Sequence, residues 1–214
     1  PIGEFCRKHG KMFSVDAIQS LGVLPVDVKA MNIDFLSADG HKWLLGPEGA
    51  GVFYIRQEHL ARLRPLGVGW NSVVHAGDFT NTELRIKDTA ARYEGGSSNH
   101  GAFLGLGASV ELLMSLGIGV IERQVLALAD DACTRLEAIG AQVVSPRDAG
   151  HTSGIVSFEL PGVDPVEVRR TCIDAHVVLS CRSGRLRISP HAYNNSDDLD
   201  RLIAALDAGR KRVG

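Results

Sequence analysis

Hydrophobic positions along the chain fall into short runs separated by glycine- and proline-bearing turns, the pattern of alternating strands and helices. Residues 5–9 read as the end of a helix closed by Gly10. Met12-Phe13-Ser14-Val15 and Phe35-Leu36-Ser37-Ala38 are two short strands. The stretch 20–34 crosses between them through a turn at Pro25 and a short helical piece at 28–31. Strand, crossover and strand predict a parallel pair, and ligands of open α/β sheets sit at the carboxyl ends of such strands. Residues 51–56 form a third strand, reached by a glycine-rich turn short enough for an antiparallel return. A long loop follows over 65–87.

The apolar run 101–121 raises the question of a membrane span, but Glu111 and several glycines point to a buried helix ending near Leu116. Beyond it, Val125, Leu128, Ala129, Ala132, Leu136 and Ile139 share one helical face, and Gly140 ends that helix. The rest alternates: strands at 141–144 and 155–160, a helix opening at Asp164-Pro165, strands at 177–181 and 186–189, and a last helix from Ser196. This predicts a small α/β sandwich. The closing Arg210-Lys211-Arg212 reads as a frayed, solvated helix end.

Composition narrows the class. With 44% hydrophobic and 22% charged residues, the 214-residue chain has an ordinary soluble make-up, large enough for one domain or two small ones. A net charge of -2 gives no electrostatic case for nucleic acid or an anionic membrane. Cys6, Cys133, Cys172 and Cys181 are scattered without a CxxC pair, against a zinc site or a disulfide framework and in keeping with a reducing cytoplasm. The opening Pro1-Ile2-Gly3-Glu4-Phe5 has the look of a start in mid-protein, with no signal peptide visible.

The chemistry concentrates in Ser37-Ala38-Asp39-Gly40-His41-Lys42-Trp43. A lysine that holds a carbonyl cofactor must be fixed in place and lose its proton readily, and burial at the end of a core strand supplies both. Lys42 is expected there. Upstream, Asp16 follows the first strand, where a carboxylate pairs with a pyridine nitrogen and keeps the ring an electron sink. Gln19 lies near it if the chain turns helically, able to donate to the phenolic oxygen. Asp16 is equally placed to cap a helix. Further on, Gly95-Gly96-Ser97-Ser98 offers amides and hydroxyls to an anion, or simply makes a turn. In Arg182-Ser183-Gly184-Arg185-Leu186-Arg187, a guanidinium fork suits a substrate carboxylate.

Asp16, Gln19 and Gly40-His41-Lys42-Trp43-Leu44, followed by Gly46-Pro47-Glu48-Gly49, resemble the class V aminotransferase family of fold-type I pyridoxal-phosphate enzymes over nearly the whole chain. That family includes aminotransferases, cysteine desulfurases, selenocysteine lyases, kynureninases and epimerases. The resemblance implies the C-terminal portion of such an enzyme, with residues 1–110 the remainder of the large mixed-sheet cofactor domain and 111–214 the small α/β domain. It implies pyridoxal 5'-phosphate on Lys42, with Asp16, Gln19, His41, Ser37 and Ser97 as cofactor ligands. Ser97 would reach the partner subunit of a homodimer with shared active sites. Arg187 matches the family's substrate-carboxylate arginine, with Arg182 in reserve.

Many family members have Ser where this chain has Asp39, and an acid repels phosphate, so Asp39 is expected to turn away or hold a neighbour. Desulfurases of the family carry a cysteine on a loop between the positions of Arg182 and Arg187, and Ser183-Gly184-Arg185-Leu186 contains none. Cys181 is expected to be a packed residue. The expectation is therefore an enzyme acting at the Cα of an amino acid, an aminotransferase first. A desulfurase, selenocysteine lyase or epimerase comes second. A non-catalytic fragment or assembly partner is the alternative of another class.

Overall fold

Val15, Leu36 and Ala38 alternate with polar neighbours and so turn one face of a small sheet inward. The computed structural model, described over residues 1–213, arranges this sheet from β1 (Ser14–Asp16), β2 (Phe35–Asp39) and β3 (Gly51–Ile55), in the order β1-β2-β3. β1 and β2 run parallel, Asp16 opposite Ser37, while β3 returns antiparallel with Gly51 opposite Asp39. Ala17, Ile33, Leu36 and Ala38 form the core beneath, with Phe13, Val15 and Tyr54 packed on it.

A short helix, α1 (Ile2–Lys8), precedes the sheet, and Gly10 leaves it at φ 61°. The expected helical piece at 28–31 is only one turn, closed by the Met31 amide on the Asp27 carbonyl at 2.9 Å. The Asp27 side chain takes the Lys29 and Ala30 amides, so it caps a turn that does not propagate. The segment 65–87 is irregular except for one 3₁₀ turn, Trp70–Ser72, and a bridge from Val73 to Ile86. α2 (His100–Leu116) starts at Asn99, whose Oδ1 accepts from the Ala102 amide. It stops at Gly117, which adopts φ 83°.

The chain divides into two compact units, Pro1–Ile118 and Gly119–Gly214; the division lies past the residue 110 suggested by the sequence. The second unit holds α3 (Ile118–Ala138), β4 (Gln142–Val143), β5 (Val156–Glu159), α4 (Pro165–Asp174), β6 (Ser180–Arg182), β7 (Arg185–Ile188) and α5 (Ser196–Val213). Its sheet is antiparallel throughout, in the order β4-β5-β7-β6. Val156, Phe158 and Leu186 belong to one buried core with Leu128 and Leu136 of α3, Val168 of α4, and Leu202 and Leu206 of α5. Burial in this core pushes the Cys172 thiol up to about 11, which leaves it a packed hydrophobe.

Arg210 corrects the frayed reading of the C-terminal cluster. Its Nη1 donates to the Ile139 carbonyl at 2.7 Å, so the last helix is tied to the end of α3. Among the described residues, no single helix is long and apolar enough to cross a membrane.

Candidate active site

Asp16 and Ser37 come side by side because β1 and β2 are parallel and in register. Both side chains are exposed, on the face opposite Ala38 and Leu36. One carboxylate oxygen of Asp16 accepts the Ile18 amide at 3.0 Å, which initiates the turn that carries Gln19. The turn closes through the Leu21 amide on the Ala17 carbonyl, also at a helical spacing. Asp16 thus opens a turn and not the helix that the alternative reading allowed, with its other oxygen bound to nothing among the described residues. Gln19 is exposed and makes no bond to Asp16.

Lys42 does not end the strand. β2 finishes at Asp39, and Lys42 lies three residues later in a turn, half-buried, closed by the Leu45 amide on the Lys42 carbonyl at 3.0 Å. The backbone turns early because Gly40 folds onto the start of β3, its amide donating to the Ala50 carbonyl at 2.8 Å. Among the described residues, the Lys42 amine has neither an ion pair nor a hydrogen bond. The turn is held rather than loose: Gly46 donates to the Gly40 carbonyl at 2.8 Å, and Ser109 Oγ of α2 donates to the Leu45 carbonyl at 2.8 Å.

Two contacts explain the glycines of this turn. A Cβ on Gly40 would stand 2.7 Å from the Ala50 carbonyl oxygen, and one on Gly46 would stand 2.7 Å from Leu106 Cδ1. Leu106 is buried on the inner face of α2, and with Ser109 it supports the lysine turn. Sequence reading missed both as supports. Their signal is the spacing Ala102, Leu106, Ser109, Leu113 along one helical stripe.

Asp39 holds a neighbour, as expected from its charge. Its Oδ2 lies 3.4 Å from His41 Nδ1, in a partly exposed pair. Ser97 is exposed in the irregular stretch between Tyr93 and α2.

In the second unit, Arg187 is half-buried on β7, with Nε donating to Ser180 Oγ at 3.1 Å across the β6–β7 pair. Ser180 is a second residue that the sequence did not single out. Arg182 is exposed at the end of β6, opposite Arg185. The four-residue loop expected between the arginines is a hairpin, with Ser183 at φ 50° and Gly184 at φ 75° between paired strands. This is the left-handed geometry of a tight two-residue turn. Cys181 sits within β6, half-buried, opposite Leu186.

The sequence model of the aminotransferase class-V family matches residues 1–202. The chain belongs to the class-V aminotransferase family. A probable cysteine desulfurase of Pyrococcus abyssi is 30% identical over 223 aligned positions, covering 96% of this chain and 54% of that protein. The apo structure of a cysteine desulfurase from Thermococcus onnurineus superposes with a TM-score of 0.89 at 28% identity, covering 98% of this chain and 55% of that one. A C-DES mutant with glycine covalently linked to its PLP cofactor shares the fold, with a TM-score of 0.87 at 22% identity. It covers 96% of this chain and 55% of its own. This class-V member therefore has the fold-type I architecture and spans about half the length of the curated relatives it matches.

The residues present fit pyridoxal phosphate on one side. An open carboxylate oxygen on Asp16 suits a pyridinium N–H, and the unpaired Lys42 amine suits a carbonyl carbon.

Proposed function

We propose that this chain is part of a pyridoxal-phosphate enzyme that acts at the Cα of an amino acid, with Lys42 as its cofactor lysine. The observation that carries the reading is the half-buried Lys42, whose amine has no partner among the described residues, in a turn clamped by Gly40, Gly46 and Ser109 beside the carboxyl end of a parallel strand pair. Pyridoxal phosphate, when bound, supplies an electron sink for the pair left at Cα.

The chain's own residues do the rest. Asp16 would accept the ring N–H and hold that proton in place, and Gln19 would donate from its amide. Ser37, His41 and the partner subunit's copy of Ser97 would donate to the phosphate in a homodimer with shared sites. Asp39 keeps His41 oriented by its 3.4 Å contact. Arg187, steadied by Ser180, holds the substrate carboxylate and so decides which Cα bond breaks, with Arg182 in reserve. The Lys42 amine would take the substrate Cα proton and return it.

Transamination is the finer reaction we favour, because Cys181 lies in a paired strand and the β6–β7 turn has no cysteine to carry sulfur. Cysteine desulfuration is the second reading, and the names of the relatives support it. Exchange of the Cα hydrogen of an amino acid in deuterated water, followed by NMR in the cofactor-loaded protein, tests the main claim. We expect exchange in the wild type and a loss of at least about a hundredfold in Lys42→Ala. Exchange that survives the substitution overturns it. Sulfide release from cysteine that disappears in Cys181→Ala would establish the second reading.

A further inference from the structure

A cavity of about 630 Å³ in the second unit is lined by Arg169 of α4, Arg187 of β7 and Arg201 of α5. Its size suits a small molecule. Two of these guanidiniums are anchored through Nε: Arg169 donates to the Leu179 carbonyl and Arg187 to Ser180 Oγ, each at 3.1 Å. The anchors are consecutive residues. Spending Nε on the protein leaves the terminal nitrogens of both groups, which have no partner among the described residues, to a ligand. Arg201 Nη1 lies 3.7 Å from Asp198 Oδ1, the sole carboxylate of the lining. The other oxygen of Asp198 is taken by Asn194 Nδ2 at 3.0 Å and the Asn195 amide at 3.1 Å.

Three guanidiniums thus share one cavity with one carboxylate that is already committed. A single substrate carboxylate occupies one fork. We infer that the substrate is an amino acid whose side chain carries a second oxyanion, Arg187 holding the α-carboxylate and Arg169 and Arg201 the side-chain anion. The inference rests on the assignment of Arg187 to the substrate carboxylate. A neutral side chain would leave Arg169, half-buried, and Arg201, at the solvent-facing rim, without an anion between them, so the cluster favours an acidic side chain over an apolar one.

Calorimetric titration of the protein with glutarate and with butyrate tests this without any turnover. Glutarate is expected to bind at least about tenfold more tightly, the effect of one further charge-assisted contact. Arg201→Gln should bring the ratio to within about twofold, while Arg187→Gln should weaken both ligands. Equal binding of the two acids, no binding of either, or a glutarate preference that survives both Arg201→Gln and Arg169→Gln overturns the inference. If the preference is missing but butyrate still depends on Arg187, only the second-anion claim falls. If butyrate ignores Arg187→Gln, the carboxylate assignment falls with it.

Discussion

Asp34, just before β2, gathers the Phe13 amide at 2.8 Å, His59 Nε2 at 3.0 Å and Arg56 Nε at 3.1 Å around one carboxylate. Burial pushes its pKa up, but these hydrogen bonds and the neighbouring cations outweigh burial and hold it below the ordinary carboxylate value. A folded-state value below the unfolded one contributes stability above about pH 4 that is lost as pH falls through the folded value. Asp34→Asn should therefore cost about 3 kcal/mol at neutral pH in denaturant unfolding, a gap that narrows below about pH 4. A gap that persists unchanged into acid contradicts this account of Asp34. Nothing in the sequence announces the cluster, since Phe13 and His59 lie 21 and 25 positions away. The family motif around Lys42 was legible because its residues are dense and local. The seat of Lys42 was not, because the turn depends on Gly40 meeting Ala50 across the sheet.

The turn 40–50 and α2 act as one element pair. Gly40→Ala places a methyl 2.7 Å from a backbone oxygen that cannot yield like a side chain. We expect a loss of about 1–3 kcal/mol in thermal unfolding, together with weaker cofactor capture at Lys42. An unchanged melting temperature and unchanged capture contradict the clamp. At this scale most of the fold was readable: the parallel pair, the antiparallel return, the stop at Leu116 and the Asp164-Pro165 start all follow from periodicity and capping residues. The strand expected from Val177 failed for a local reason. His176 at φ 59° and the Val177 amide on the Cys172 carbonyl wrap the end of α4, so pairing begins only at Ser180. α3 starts at Ile118, directly after the Gly117 stop, because the apolar run crosses that stop without any change in composition.

At the scale of the molecule, the two units carry different parts of the proposed chemistry: the cofactor lysine in the first, the carboxylate-binding arginine in the second. We propose that the second unit is a domain in its own right, since its core draws only on residues from Leu128 to Leu206. A fragment from Gly119 onward should unfold in one cooperative transition with dispersed amide signals. A gradual, uncooperative melt contradicts that independence. The family was legible from eleven residues at and around Asp16 and Lys42, whereas the reaction was not, because transamination, desulfuration and epimerisation share that machinery and differ in groups that no local motif encodes. The central claim is that Lys42 captures the cofactor, and the most direct measurement is to add pyridoxal phosphate, reduce with borohydride and map the modified peptide by mass spectrometry. The account predicts a single label on Lys42, lost in Lys42→Ala. No label, or label spread over surface lysines, contradicts it.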